Sequence, residues 1–227
     1  MKNTALIIPA GGIGKRLGVE TPKQYIEIAG VPIIIRTIKN FEHFDCINVC
    51  VVAAHPDRHE FICEKAEQFK VKIPVVCVPN GKERILSVYN ALESEYCSES
   101  EFVLIHDAVR PFADSALVKS IVKELAGNDA VIPVLKPKDT IKLLDDDGMV
   151  VRTLDREHLC MVQTPQAFRT SSILAAYKKA LEVGFFGTDD ASVAEFYGMA
   201  VKTVAGSSRN FKITDLNDLN EAERLVK

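Results

Sequence analysis

A regular alternation of short apolar runs with longer amphipathic stretches constrains the fold of this chain more than any other feature. The apolar runs have the length of buried strands and occupy residues 5–9, 47–53, 74–78, 102–106 and 130–134. Stretches with helical periodicity separate them, at residues 33–44, 57–69, 83–94 and 115–126. Strands that alternate with helices of this length predict an α/β fold with three layers and a mainly parallel sheet.

The alternation is interrupted at residues 136–159, where two β-like runs flank the dipeptide Asp147-Gly148. Asp-Gly between such runs is a strong hairpin signal. A turn at these two residues puts Thr140 and Arg156 on neighbouring rungs at the base of the hairpin. Because a two-stranded ribbon is marginal alone, we expect this β-arm to protrude and to pack against a second subunit.

The remainder of the chain returns to helical and strand patterns. Helices are predicted near residues 171–183 and 189–197, followed by a strand at 200–204 and a closing helix from Asp215. Ligands of such sheets bind beyond the carboxyl ends of the strands. The loops after residues 9, 78 and 106 are therefore the places to look for a site.

The composition is that of a globular protein, and we expect residues 1–227 to form one domain. Hydrophobic residues make up 47% of the chain, and the formal net charge is −3. This charge argues against bulk binding to nucleic acid or to an anionic membrane, so an anionic ligand requires locally clustered cations. The first apolar run is too short for a signal peptide or a membrane span. Six cysteines without a CxxC pair favour free thiols in a reducing cytoplasm.

The glycine-rich stretch IIPAGGIGKRLG follows the first predicted strand. A P-loop requires Ser or Thr after its Gly-Lys pair, whereas here Arg16 follows Gly14-Lys15. The dinucleotide fingerprint G-x-G-x-x-G is one residue shorter than the spacing of Gly12, Gly14 and Gly18, and no acidic residue ends a second strand at the expected distance. Neither of these phosphate-binding designs fits.

The pattern that remains is G-G-x-G-x-R followed by TPKQ, which puts Arg16 and Lys23 seven residues apart. Glycines let backbone N–H groups close around phosphate oxygens, and two long cations reach the distal phosphates. This pattern resembles the signature of nucleotidyltransferases that activate sugar or alditol phosphates.

Later motifs narrow the resemblance. They are GKERILSV (81–88), IHDAVRPF (105–112), KDTIK (138–142), TLDREHLCMVQTPQAF (153–168), GTDDAS (187–192) and NFKITDLNDL (210–219). In this order they resemble the 2-C-methyl-D-erythritol 4-phosphate cytidylyltransferase family of non-mevalonate isoprenoid synthesis. A related pattern belongs to ribitol-5-phosphate cytidylyltransferases, but Arg156 in TLDRE and the TDDAS stretch favour the methylerythritol family.

The resemblance implies a Rossmann-like nucleotidyltransferase fold and a homodimer formed through the β-arm. It also implies a reaction of CTP, as co-substrate, with an alditol phosphate, supported by Mg²⁺. In such a reaction positioning and electrostatics carry the rate, because no side-chain nucleophile is required. By resemblance, Arg16, Lys23 and Lys212 are the catalytic cations.

The resemblance also assigns binding residues. For CTP they are Ala10, Gly11, Gly12, Gly14, Gly81, Lys82, Ser87, Asp107 and Ala108. For the alditol phosphate they are Asp107, Arg110, Thr140, Arg156, Thr164 and Thr188. Asp107 is also the expected magnesium ligand, and the arm carries Thr140 and Arg156 into the partner's site.

Two interpretations from other classes stay open at this stage. A non-catalytic nucleotide-binding module predicts the loss of at least one of Arg16, Lys23 and Lys212, yet all three are present. An NAD-dependent oxidoreductase predicts an acidic ribose clamp after the second strand, which the sequence does not supply. The remaining competitor is a cytidylyltransferase for another alditol phosphate, such as ribitol 5-phosphate.

Overall fold

The computed structural model describes residues 3–12 and 21–226. Its strands are β1 (Thr4–Pro9), β2 (Glu27–Ile28), β3 (Val31–Pro32), β4 (Ile47–Ala54), β5 (Val75–Pro79), β6 (Phe102–Ile105), β7 (Ala130–Leu135), β8 (Lys142–Leu144), β9 (Val150–Thr153), β10 (Met161–Val162), β11 (Gln166–Arg169) and β12 (Lys202–Ala205). Its helices are α1 (Ile33–Lys39), α2 (His59–Gln68), α3 (Arg84–Leu92), α4 (Glu95–Ser98), α5 (Ser115–Leu125), α6 (Thr170–Glu182), α7 (Asp190–Phe196) and α8 (Leu216–Val226). Short 3₁₀ turns occupy Lys23–Tyr25, Pro56–Arg58 and Arg156–His158.

The central sheet is mainly parallel. β5, β4, β1 and β6 lie side by side and parallel, and β12 pairs parallel with β7. β11 lies between β6 and β7 and runs antiparallel to both, and β10 also pairs antiparallel with β7. Helices cover both faces, which confirms the predicted three-layer α/β fold.

Alternating side chains of β1 contribute to the two hydrophobic cores, one on each face of the sheet. Leu6 and Ile8 pack on the face covered by α1, α2 and α5, while Ala5 and Ile7 pack on the face covered by α3, α6 and α7. All four are fully buried. Because both faces of the strand are buried, its sequence is a continuous apolar run rather than an alternating one.

The predicted elements are present, with two differences of note. α1 ends at Lys39 rather than near residue 44, because the chain then forms consecutive turns through Asn40 and Phe44. β11 was not predicted, since only Ala167 and Phe168 of its four residues are apolar. None of the helices in the described ranges is long and apolar enough to cross a membrane.

β8 and β9 form a hairpin whose register matches the prediction near its base. Lys142 pairs with Thr153 and Leu143 pairs with Arg152, as expected. The predicted two-residue turn is wrong, because the register slips by one at Leu144. The observed β-turn spans residues 145–148, so that Asp146 and Asp147 are its central residues: the Gly148 N–H donates to the Asp145 carbonyl at 3.1 Å. Gly148 has a φ of +80°, which glycine adopts without strain.

Candidate active site

A cleft of about 340 Å³ opens at the carboxyl ends of β1, β5 and β6. Three loops that follow these strands converge there with a segment that precedes α8. The cleft is lined by Pro9, Ala10, Gly11, Gly12, Lys23, Gln24, Gly81, Lys82, Glu83, Arg84, Ser87, Asp107, Ala108, Val109 and Lys212. Open α/β sheets bind their ligands beyond the carboxyl ends of the strands, which is where this cleft lies.

Gln24 holds the described part of the glycine-rich loop. Its side-chain amide donates to the Ala10 carbonyl at 2.6 Å and to the Gly12 carbonyl at 2.8 Å. Gln24 is itself buried. One buried amide with two acceptors fixes the backbone of this turn, so the turn is organised before a ligand arrives.

Two glycines in the loops after β1 and β5 are packed so tightly that a side chain would collide with a neighbour. A Cβ at Gly11 would lie 2.6 Å from Nδ2 and 2.8 Å from Cβ of Asn80. A Cβ at Gly81 would lie 2.2 Å from the Leu86 Cβ, at the start of α3. Neither position has room for a side chain, so the narrow shape of the cleft depends on both glycines.

Ser87 fastens the loop after β5. Its buried hydroxyl accepts from the Gly81 N–H at 3.1 Å and donates to the Glu83 carbonyl at 3.1 Å. A small residue with a hydroxyl group is needed at position 87 to make these two hydrogen bonds within the loop. The sequence predicted Ser87 near the cytosine, and the structure places it under the loop that lines that part of the cleft.

Asp107 is the centre of charge in the cleft. Its carboxylate lies 3.0 Å from Lys212 Nζ, 3.0 Å from Arg110 Nε and 4.0 Å from Arg84 Nε. Burial would raise its pKa, but the charges of Lys212, Arg84 and Arg110 outweigh burial and hold the pKa of Asp107 well below its usual range. Asp107 is therefore ionised at neutral pH, and it holds Lys212 at the cleft.

The segment that carries Lys212 is tied to the rest of the site by backbone bonds. The Ile213 N–H donates to the Val109 carbonyl at 2.9 Å, and Lys23 Nζ donates to the Ile213 carbonyl at 3.1 Å. Buried Asn210 donates through Nδ2 to the Thr164 carbonyl at 2.7 Å. These bonds bring two predicted catalytic cations, Lys23 and Lys212, from distant parts of the sequence to one cleft.

A family model described as 2-C-methyl-D-erythritol 4-phosphate cytidylyltransferase matches residues 4–227. The protein of that name from Pelotomaculum thermopropionicum is 37% identical, over 100% of this chain and 95% of its own length. The one from Geobacillus thermodenitrificans is 39% identical, over 99% and 97%. This chain belongs to the 2-C-methyl-D-erythritol 4-phosphate cytidylyltransferase family.

Solved structures of the same family share the fold. The 4-diphosphocytidyl-2C-methyl-D-erythritol synthase from Anaerococcus prevotii superposes with a TM-score of 0.87 at 33% identity, over 99% of this chain and 98% of that one. The cytidylyltransferase from Thermus thermophilus gives 0.80 at 29% identity, over 99% and 98%. The resemblance inferred from the sequence motifs is confirmed.

The cleft of this cytidylyltransferase-family chain gathers most of the predicted CTP-binding residues. Ala10, Gly11, Gly12, Gly81, Lys82, Ser87, Asp107 and Ala108 all line it, together with Lys23 and Lys212. Gly14 and Arg16 lie outside the described residues. The roles given to these residues remain predictions.

The structure does not bring the predicted alditol-phosphate residues into this cleft as a group. Thr140, Arg156 and Thr188 are exposed and do not line it. Arg156 donates from Nη1 to the Lys138 carbonyl at 2.7 Å and so closes the base of the hairpin. Arg110 is turned toward Asp107 and donates from Nη1 to the Asn210 carbonyl at 2.9 Å.

Thr164 lies beneath the cleft, in a chain of buried polar groups. Because the Arg110 carbonyl can only accept, His106 Nε2 carries the proton of that 3.1 Å contact. His106 Nδ1 then accepts from the Thr164 hydroxyl at 2.9 Å, and the Thr164 oxygen accepts from the Asp107 N–H at 3.1 Å. Burial lowers the pKa of His106 to about 4, so its ring is neutral at pH 7.

Sequence reasoning missed an ion pair beside the cleft. Arg84 donates from Nη1 and Nη2 to the two Asp190 oxygens at 2.8 and 2.7 Å. Asp190 is fully buried and also accepts from the hydroxyl of Tyr177. The only sequence signal was indirect, since Arg84 lies in GKERILSV and Asp190 in GTDDAS, 106 positions apart.

The residues of the cleft fit a magnesium ion that arrives with a polyphosphate. Within residues 3–12 and 21–226, no group of three His, Cys, Asp or Glu side chains is placed to hold a metal ion. Asp107 and Glu83 are the acidic residues among those that line the cleft. Because magnesium commonly binds to one or two carboxylates plus substrate phosphates, this donor set suits it without an all-protein cage.

Proposed function

We propose that this chain transfers the cytidylyl group of CTP to 2-C-methyl-D-erythritol 4-phosphate, giving CDP-methylerythritol and pyrophosphate in non-mevalonate isoprenoid biosynthesis. The observation that carries the proposal is the narrow, glycine-lined cleft in which Lys23 and Lys212 meet beside Asp107. Full-length relatives that are 37% and 39% identical bear the name of this activity.

The cleft supports an in-line displacement at phosphorus. A phosphate oxygen of the alditol phosphate attacks the α-phosphorus of CTP, and the bond to the pyrophosphate oxygen breaks. Both reactants are polyanions, so the side chains must offset their repulsion and hold the added negative charge of the transition state. Lys23, Lys212 and, from the sequence, Arg16 would do this, while Asp107 keeps Lys212 in position.

Base recognition would come largely from backbone. Gly11 lies against Asn80 and Gly81 lies against Leu86, so neither position tolerates a Cβ, and a slot lined by two such glycines favours a pyrimidine over a larger purine. Ala10, Gly12 and Lys82 would complete the slot. Ser87 would act mainly by holding the Gly81 N–H.

A magnesium ion would be held by Asp107 together with phosphate oxygens of CTP. When bound, it would withdraw negative charge from the phosphates and orient them. Among the side chains, Lys212 would stay paired with Asp107 while presenting its remaining N–H donors to the reacting phosphate.

We further infer a homodimer through the arm, defined as residues 136–159, in which Thr140 and Arg156 enter the cleft of the partner. Supporting this, both side chains are exposed and lie outside their own cleft. The arm also exposes apolar side chains, including Leu144 at 52% and Met149 at 67%. A single domain over residues 1–227 and a cytoplasmic location, consistent with six free thiols, belong to the same proposal.

Pyrophosphate release tests the proposed reaction. The purified chain would be supplied with CTP and magnesium, with methylerythritol 4-phosphate and ribitol 5-phosphate in parallel. We expect release with the first substrate only. Release with ribitol 5-phosphate alone would keep the chemistry and overturn the assigned substrate. If neither reacts while CTP still binds, the proposed reaction is wrong.

A further inference from the structure

The thiols of Cys63 and Cys77 meet between α2 and the edge strand β5. Cys77 Sγ donates to the His59 carbonyl at 3.9 Å. In an α-helix that carbonyl is also the acceptor for the N–H of the residue four positions later, which is Cys63. The His59 carbonyl therefore faces both the Cys77 sulfur and the backbone N–H of Cys63, and the two thiols are close enough to interact electrostatically.

The two thiols differ in their surroundings. Cys63 is exposed, whereas Cys77 is half-buried against the core on the α2 face of the sheet. Burial raises the pKa of Cys77 to about 12, and the neighbouring Cys63 adds to the increase. Cys77 is therefore a poor nucleophile at neutral pH, and a reagent in solution meets Cys63 first.

We propose that Cys63 and Cys77 form a redox-active pair that closes to an intramolecular disulfide when a low-molecular-weight disulfide such as oxidised glutathione reacts with it. The Cys63 thiolate attacks one sulfur of glutathione disulfide, forms a mixed disulfide and releases one glutathione thiolate. Cys77 then loses its proton to solvent and attacks the Cys63 sulfur, releasing the second glutathione. Two protein thiols are oxidised and one glutathione disulfide is reduced to two thiols.

The mixed disulfide favours the second step. The sulfur that Cys77 must attack is already its neighbour. Closure joins α2 to β5, the strand that leads through Asn80 to the Gly81 loop of the cleft. The cross-link spans residues 63–77 and restricts the unfolded chain.

Peptide mass spectrometry of the full chain tests the pair. The protein would be incubated at neutral pH in glutathione buffers of increasing oxidised fraction, quenched with acid, alkylated and digested. We expect a cross-linked peptide containing Cys63 and Cys77, with two hydrogens lost and no glutathione retained on Cys63. In Cys77→Ser, Cys63 should keep its glutathione. Exposed Cys160 reports in both proteins whether the oxidant was active.

Thermal unfolding supplies a second measurement. Oxidation should raise the Tm of the unsubstituted chain by several degrees and leave that of Cys77→Ser unchanged. The proposal is overturned if Cys63 keeps glutathione as fully in the unsubstituted chain as in Cys77→Ser, or stays unmodified while Cys160 reacts. A disulfide that forms only in denaturant also overturns it. None of these results depends on the proposed nucleotide chemistry.

Discussion

Arg84 shows how a single side chain can connect the cleft to the layer of helices behind it. Two of its guanidinium nitrogens bind Asp190 of α7, and the third lies 4.0 Å from Asp107. Burial would lower the pKa of Arg84, but Asp190 and then Asp107 hold it above its usual value. The charge on Arg84 is therefore permanent, and Asp190 is its main counter-ion.

Neutralising Asp190 should destabilise the fold. Asp190→Asn removes the charge of a fully buried side chain that holds Arg84, whose own side chain is 34% exposed. We expect a loss of about 2 kcal/mol in the free energy of unfolding, less than for a fully buried pair because solvent still reaches the guanidinium. Urea unfolding monitored by circular dichroism measures it. Glu93→Gln, which breaks the exposed pair with Lys178, is the matched control and should have little effect. Equal effects of the two substitutions would contradict the structural role given to Asp190.

His106 predicts a specific dependence of stability on pH. Its pKa in the folded state is about 4, below the value of about 6.5 for an unfolded histidine. Between pH 6.5 and 4 this histidine therefore binds a proton in the unfolded chain but not in the folded one. The free energy of unfolding must then fall as the pH is lowered through this range. For this residue alone the loss reaches about 3 kcal/mol.

The His106→Gln variant isolates that contribution. Glutamine keeps an N–H donor near the Arg110 carbonyl but does not titrate in this range. The free energy of unfolding, measured by urea titration between pH 7 and 4.5, should fall less steeply in the variant than in the unsubstituted chain. Parallel slopes in the two proteins would mean that other groups cause the acid sensitivity.

At the scale of elements, the turn between β5 and α3 should tolerate no side chain at Gly81. Gly81→Ala places a Cβ 2.2 Å from the Leu86 Cβ, so the turn must move away from its position in the cleft. We expect the KM for CTP to rise about tenfold or more, equivalent to at least ~1.4 kcal/mol of binding. Steady-state pyrophosphate release measures this.

Gly127→Ala is the control for the Gly81 substitution. A Cβ at Gly127 meets nothing within 4 Å, and this glycine does not line the cleft. Its KM should therefore match that of the unsubstituted chain. A KM that is also unchanged in Gly81→Ala would show that the turn does not help to bind CTP.

Elements with a strong local pattern could be predicted, and those defined by tertiary contacts could not. β1 and β4 are continuous apolar runs, and the structure places them within one residue of the predicted bounds. β11 has only Ala167 and Phe168 as apolar residues and becomes a strand because β6 and β7 pair with it on both sides. The hairpin turn was misplaced because the dipeptide signal does not reveal the register shift between Leu143 and Leu144, which leaves Val151 without a partner in the ladder.

Some residues of the candidate site could likewise be predicted from the sequence, and others could not. Lys23, Lys212 and the glycines could be named because they lie in motifs that resemble those of a known family. Arg84 and Gln24 could not, since an arginine at a helix start or a glutamine after a lysine has no distinctive local pattern. Their roles depend on acceptors that only folding brings near, Asp190 for the first and the Ala10 and Gly12 carbonyls for the second.

At the scale of the whole molecule, the fold separates the chemistry from the arm. The cleft with Lys212 lies at the carboxyl ends of the sheet strands, whereas the arm forms its own two-stranded sheet, which pairs with no strand of the main sheet within residues 3–12 and 21–226. Arg156 is anchored at the base of that hairpin by the Lys138 carbonyl. Lys212 and Arg156 are thus on parts of the chain that a dimer could bring together between subunits, as we propose.

Mixing two inactive variants tests whether a site is shared. If each site combines Lys212 of one subunit with Arg156 of the other, a mixed dimer of Lys212→Ala and Arg156→Ala has one intact site. An equimolar mixture refolded together should then recover about one quarter of the unsubstituted activity, because half of the dimers are mixed. Mixing Lys212→Ala with the doubly substituted chain is the control and should recover nothing. Absence of recovery in both mixtures would mean that the arm serves its own subunit.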